Sequence, residues 1–203
     1  MMVTEIEELS KARVKVCTDN GATFALYKGE LRRFCIENGK ELPDDAYRQI
    51  MEEILPKRAK VRCMNLLKSR DYTEHRLRIK LRQGLYPDRI IDEALLYVRS
   101  YGYIDDVRYA ERYIEQARTV KSRRQIENSL IQKGISKEDI GTAYARYDAE
   151  ESFVNECAVI RRLLVKRRYD SQSATYEERR KIIGFLYRKG FSLENIYQAV
   201  EAD

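Results

Sequence analysis

From Ala59 onward, apolar residues return at helical spacing, and one set of spacings comes back three times. Leu77, Leu81, Ile91 and Ala94 are separated by 4, 10 and 3 positions, as are Ile126, Leu130, Ile140 and Ala143, and then Ile182, Leu186, Ile196 and Ala199. A pair four apart shares one face of a helix, and a pair three apart does the same on the next. Between them lies a glycine each time: Gly84, Gly134 and Gly190. Glycine closes a helix because the closing residue adopts a left-handed conformation that a side chain resists. Ser136 and Ser192 stand two residues after the second and third glycines, placed to cap the following helix, while Pro87 occupies that place in the first copy. Ser122-x-x-Gln125 and Thr175-x-x-Glu178 read as capping boxes that open the middle helices of the second and third copies. Helices over about 59–69, 105–119 and 149–168 precede the middle helices, so each unit is a three-helix repeat.

The first 58 residues follow a different pattern. Val14 and Val16 alternate with Lys15 and end at Thr18, and 24–27 is a second β-prone run. Asp19-Asn20-Gly21 lies between them, and Asn-Gly supplies the two positive-φ positions of a tight turn, which predicts a β-hairpin over about 11–27. Short helices are expected over 31–37, ended by Asn38-Gly39, and over 43–55, with Pro43 in the first turn and a stop before Pro56. The predicted fold is mostly α: three tandem three-helix repeats forming an elongated array, with a small N-terminal β-hairpin and short helices. The expected division is 1–58, 59–103, 104–148 and 149–203. Neighbouring units in such arrays bury one another's faces.

Composition narrows the function. Hydrophobic residues make up 43% of the 203, too many for a disordered chain, and 3 Pro with 9 Gly are too few for a sandwich of short strands. No apolar run approaches the roughly 18–20 residues of a membrane span, and Met1-Met2-Val3-Thr4-Glu5 lacks a signal-peptide core. A cytoplasmic protein without membrane contact is expected. Cys17, Cys35, Cys63 and Cys157 form no CxxC pair, which points to reduced thiols rather than a zinc or redox site. His75, expected at the surface, is the single histidine, and no Walker A sequence is present. The expectation is therefore a protein that is not an enzyme and carries no metal or cofactor.

The net charge is +6. Residues 1–58 hold 10 basic and 11 acidic side chains, so the whole excess lies on the repeats. It gathers by helix. Arg76, Arg78 and Arg82 alternate with apolar residues in the first unit; Lys121, Arg123 and Arg124 surround the start of the middle helix in the second; Arg179, Arg180 and Lys181 hold the matching place in the third. Arg161, Arg162, Lys166, Arg167 and Arg168 share one helix whose core face is Ile160, Leu163 and Leu164. Recurring basic rows suit a phosphate backbone or an acidic groove. Asp105-Asp106 directly precedes a helix and reads as a cap rather than a metal site. Tyr109, Tyr113 and Tyr144 fall at core spacing, which favours packing over base stacking.

The segment Gly102-Tyr103-Ile104-Asp105-Asp106-x-x-Tyr109-Ala110-x-x-Tyr113-Ile114 is similar to the signature of the RecX family, and Lys133-Gly134-Ile135-Ser136 resembles that family's next motif. The order of parts, an N-terminal extension and three three-helix repeats, matches as well. The resemblance implies a monomeric regulator of the RecA recombinase, acting in homologous recombination, DNA repair and the SOS response. Family members lie along the groove of the RecA–DNA filament, block its extension and inhibit strand exchange, ATP hydrolysis and co-protease activity. Direct contact with single- or double-stranded DNA is a further expectation. Two other readings stay open: a helix-turn-helix-like DNA-binding regulator and a helical protein-binding scaffold.

Overall fold

Three N-terminal strands, β1 (Val3–Glu8), β2 (Arg13–Thr18) and β3 (Thr23–Tyr27), form an antiparallel meander in a computed structural model that describes residues 1–145 and 149–201. The expected hairpin is β2–β3, with Val16 opposite Phe24 and Val14 opposite Leu26. Its turn differs from the expected one. Positive φ falls at Gly21 alone, while Asn20 turns its side-chain oxygen inward to accept from the Ala22 N–H at 3.2 Å and the Thr18 hydroxyl at 2.7 Å. The side chain of Asn20 thus supplies a local turn bond in place of a second left-handed residue. Strand β1 adds an edge that the periodicity did not reveal.

After β3 come α1 (Lys28–Arg33) and α2 (Asp44–Gln49). The expected stop before Pro56 does not occur. The chain passes from α2 through one π-helical turn, Ile50–Ile54, into α3 (Leu55–Ser69), with Pro56 inside the first turn of α3. Proline is tolerated there because its missing N–H would have no partner in a helix's first turn, and the wider π turn resets the hydrogen-bonding just before it. The first repeat continues with α4 (Glu74–Arg82) and α5 (Asp88–Ser100).

The chain divides into two units, Met1–Asp105 and Asp106–Asp203. In the first, sheet and helices share one core: Val14, Val16, Phe24 and Leu26 pack in the same apolar cluster as Ile50, Leu55, Cys63, Leu77, Leu81, Ile91 and Ala94. Burial pushes the Cys63 thiol up to about 11. The second unit holds α6 (Asp106–Ala117), α7 (Arg123–Ile131) and α8 (Lys137–Tyr144), then α9 (Ala149–Lys166), α10 (Tyr176–Arg188) and α11 (Leu193–Glu201). Each triplet has its own core, one around Ile114, Ile126, Leu130 and Ile140 and the other around Ile160, Ile182, Leu186 and Ile196. Residues 146–148, where the boundary between these repeats is expected, lie outside the described residues.

The recurring apolar positions are all buried, none more than 6% exposed. At about 25 cal/mol per Å² of apolar surface removed from water, each fully buried Leu or Ile contributes roughly 2 kcal/mol. The caps form as expected. Ser122, Ser136 and Thr175 accept from the backbone N–H three residues on, and the boxes at Ser122/Gln125 and Thr175/Glu178 close in both directions. One glycine assignment changes. The N–H groups of Tyr86, Ile135 and Phe191 return to the carbonyls of Leu81, Leu130 and Leu186, so the left-handed residue is Leu85 in the first repeat, where Gly134 and Gly190 stand in the others.

Ser122 also joins the second and third repeats. It is fully buried, and its hydroxyl donates to the Lys189 carbonyl at 2.8 Å while accepting from Gln125 N–H at 3.3 Å. Glu156 completes the joint, accepting from Arg123 N–H and from the Asn195 side chain, both at 2.7 Å. Losing the cap costs about 1 kcal/mol, and an orphaned buried carbonyl about 1–3 kcal/mol more. Ser122→Ala is therefore expected to lower stability by about 2–4 kcal/mol in urea unfolding, against about 1 kcal/mol for Ser136→Ala, whose exposed cap serves its own helix.

A candidate polyanion-binding surface

The fourteen basic residues singled out by pattern fall into two groups. Several are committed to the protein itself. Arg78 reaches Asp92 at 2.5 Å and Glu74 at 3.7 Å, tying α4 to α5. Arg82 donates to Asp88 at 2.9 Å across the turn, which holds the Asp88 carboxyl below its ordinary range. Arg123 pairs with Glu127 at 2.8 Å and lies over the Tyr144 ring. Lys121 donates to the Tyr113 hydroxyl at 2.8 Å, and Arg162 to the Thr119 carbonyl at 3.1 Å. These are structural struts.

The others point to solvent. Arg76 and Arg124 are exposed on α4 and α7. The third repeat holds most of the remainder: Arg161, Lys166, Arg167, Arg168, Arg180 and Lys181, all exposed, with Lys181 close enough to Glu178 to help draw its carboxyl down. Arg179, also exposed, belongs to the same helix start. Two clefts gather them. One, of about 350 Å³, brings Arg167 and Arg168 from the end of α9 together with Lys181 of α10. The other, of about 610 Å³, lies along the outer face of α10 and collects Arg180, Lys181, Arg188 and Tyr187.

Local chemistry fixes the first cleft. Arg167 stacks its guanidinium on Phe185, 3.6 Å from the ring centroid, a contact that restrains its long side chain. Arg168 sits at φ +54, the left-handed position that ends α9, with Tyr169 N–H returning to the Leu164 carbonyl at 3.1 Å. Asp170 and Glu178 also line this cleft, but their oxygens are used locally. Ser173 and the Gln172 N–H hold Asp170 at 2.6 and 3.1 Å and draw its carboxyl down. Thr175 does the same for Glu178 through its N–H and hydroxyl, both at 2.9 Å. Both carboxylates stay ionised in this way, so the cleft sets Arg167, Arg168 and Lys181 against Asp170 and Glu178 and keeps a small excess of positive charge.

Tyr109, Tyr113 and Tyr144 pack against the second repeat's core as expected. Tyr97, Tyr101 and Tyr103 are instead exposed, with centroids 4.9 and 6.1 Å apart in sequence order. Their spacing around Gly102 does not follow the core period, which is the one signal that separates them from the packed tyrosines. His75 is exposed, and the four cysteines are free. No described helix is long and apolar enough to cross a membrane.

A chain built from three copies of a three-helix unit, with several exposed cations gathered on the third, is a helical repeat protein. Models of the first, second and third three-helix domains of RecX match residues 59–97, 105–143 and 155–200. The chain belongs to the RecX family. It is 29% identical over 202 residues to regulatory protein RecX of Caldanaerobacter subterraneus, covering 98% of each chain. It is 26% identical over 200 residues to regulatory protein RecX of Clostridium acetobutylicum, covering 97% of this chain and 92% of that one. Two crystal structures share the fold. One, of regulatory protein RecX, has a TM-score of 0.66 at 23% identity over 100% of this chain and 99% of that one. The other, RecX from Lactobacillus salivarius, has a TM-score of 0.62 at 22% identity over 73% of this chain and 96% of that one.

The division between struts and exposed cations is testable. Arg167→Gln/Arg168→Gln/Lys181→Gln should elute from immobilised heparin at clearly lower salt and lose only about 0.5–1 kcal/mol, from the Arg167–Phe185 contact, whereas Arg78→Gln should lower stability by a similar amount, about 0.5–1 kcal/mol, and keep its elution point. Arg168→Gly should weaken retention while raising stability by about 1 kcal/mol, because glycine relieves the left-handed strain.

Proposed function

We propose that this chain regulates a RecA recombinase by seating on the RecA–DNA filament and occupying its helical groove, which blocks extension and lowers strand exchange, ATP hydrolysis and co-protease activity. Its setting would be cytoplasmic homologous recombination, DNA repair and the SOS response, with a regulatory rather than an enzymatic role. Membership of a family whose curated members are named regulatory proteins supports this reading. The observation that carries it is the collection of exposed cations on the outer helices of the third repeat, in open clefts rather than an enclosed pocket. Open cationic clefts suit an extended anionic partner, and contacts from several repeats to successive protomers would add through effective concentration.

The deciding measurement is RecA-dependent ATP hydrolysis on single-stranded DNA, titrated with this protein. The expected result is inhibition near stoichiometric ratios to filament, weakening as salt rises. Neutralising Arg161, Arg167 and Arg168 together, with the strut Arg162 left in place, should shift the curve to higher concentration and flatten its salt dependence. An unaltered rate at stoichiometric levels would sink the proposal. Sequence-selective binding to duplex DNA without RecA would favour the helix-turn-helix reading, and absence of binding to both filament and DNA would favour a protein scaffold.

A further inference from the structure

The first unit holds a second cationic site that no repeat pattern marks. A cleft of about 480 Å³ opens between the N-terminal sheet and the first repeat. Arg13 enters it from β2, Arg58 and Arg62 from α3, and Lys80 from α4, with Tyr86 beside them and no carboxylate in its lining. Arg58 is held in place by an ion pair with Glu30, by the Ala25 carbonyl at 3.4 Å and by the Tyr27 ring 4.5 Å away. Arg13 and Arg62 are exposed with no ion-pair partner among the described residues, and Lys80 contacts only the Gln83 side-chain oxygen, at 3.2 Å. Three uncompensated cations thus face one cleft beside a fixed guanidinium.

Tyr86 packs against the core of the first unit and presents its remaining surface to the cleft. In the other repeats the residue after the left-handed position is Ile135 or Phe191, each buried in its core. In the first repeat it is Tyr86, only half-buried, and the glycine has moved back one place. Leu85 takes the left-handed conformation at φ +59, which costs a branched side chain about 1–2 kcal/mol. Gly84 gains its own purpose: a Cβ there would stand 2.8 Å from the Tyr86 ring. Burial raises the Tyr86 phenol above its ordinary value against the downward pull of Arg58, Arg13 and Arg62, so the hydroxyl stays protonated and able to donate. Strain of this kind points to a site that needs the displaced group.

We propose that this cleft binds phosphate groups of a single-stranded nucleic-acid backbone, with Arg13, Arg62 and Lys80 neutralising the charge and Arg58 and Tyr86 donating from fixed positions. Guanidinium forks match phosphate oxygens, and a neutral phenol adds a directional donor. Ala12, Ala25 and Val61 leave small apolar surfaces between the cations, room for a sugar–phosphate chain, and the Tyr27 and Tyr86 rings line the same cleft, where an unpaired base could stack. Only a single strand presents bases free to meet those rings. The inference is independent of RecA, and its test omits RecA.

Binding of a labelled oligothymidylate is measured by fluorescence anisotropy over a salt series, in the Arg167→Gln/Arg168→Gln/Lys181→Gln background so that the third repeat contributes little. Adding Arg13→Gln, Arg62→Gln and Lys80→Gln is expected to weaken binding roughly tenfold or more and to reduce the salt slope by about 2, at about 0.7 per lost phosphate contact. Tyr86→Phe and Gly84→Ala should weaken it several-fold with the slope unchanged, since neither removes a charge. Arg58 is left in place because its pair with Glu30 is structural, and circular dichroism confirms that each variant is folded. The proposal is overturned by unchanged affinity and slope in the cation variant, by equal affinity for polyglutamate of matched charge, or by inorganic pyrophosphate displacing the strand at equimolar concentration.

Discussion

The carbonyl of one buried leucine closes each repeat. Leu81, Leu130 and Leu186 accept from the N–H five residues on, at 3.3, 3.2 and 3.4 Å, and this bond exists only if the intervening residue is left-handed. The closure stops the middle helix at a fixed point and turns the chain into the third helix. It also drops an apolar residue, Ile135 or Phe191, into the core below. The spacing of 10 between the second and third recurring apolar positions is the sequence trace of this turn. Ser136 and Ser192, two residues past it, cap the next helix because the turn leaves its first N–H groups open.

The closure also joins repeats. Gly190 φ is +87, and a Cβ there would stand 3.0 Å from Arg124 Cβ and 3.1 Å from the Ser122 hydroxyl. The turn of the third repeat thus lies against the cap that opens α7 in the second, and Ser122 uses both lone-pair and proton, one for its own helix and the other for the Lys189 carbonyl. Glycine serves two ends here, backbone conformation and close approach. In the first repeat these requirements separate, with Leu85 bearing the conformation and Gly84 supplying the clearance.

Much of this was legible in the residues, for reasons that differ by element. The recurring apolar positions are a local record of burial, and capping boxes are local by construction, so both read correctly. Strand β1 did not. Its inward residues are Val3 and Ile6, three apart, because a register shift between Val3 and Glu5 breaks the period of two. Pro56 misled because a π turn just before it lets the helix run on. Among the cations, Arg123–Glu127 is readable from a separation of four, whereas Arg78–Asp92 depends on how α4 meets α5. The cleft cations Arg13, Arg58, Arg62 and Lys80 belong to three elements far apart in the chain, and only tertiary packing gathers them.

Two of the three cationic clefts lie beside a left-handed residue other than glycine. Of the three non-glycine residues at positive φ, Leu85 immediately precedes Tyr86 in the cleft of the first unit, and Arg168 itself lines a cleft of the third repeat. The second repeat ends its middle helix with glycine, and its predicted cations Lys121 and Arg123 serve as struts. A left-handed leucine or arginine is less stable than glycine in either place, and each repeat's core offsets that cost with several buried aliphatic side chains. Cys35, the third such residue, closes α1 in the same way, with the Ile36 N–H returning to the Leu31 carbonyl at 2.9 Å, so a left-handed side chain also occurs where the turn only closes a helix. Repeats that share one scaffold have been given different surfaces: the core positions stay interchangeable, and the residues at and just after the closing turn decide what each copy presents.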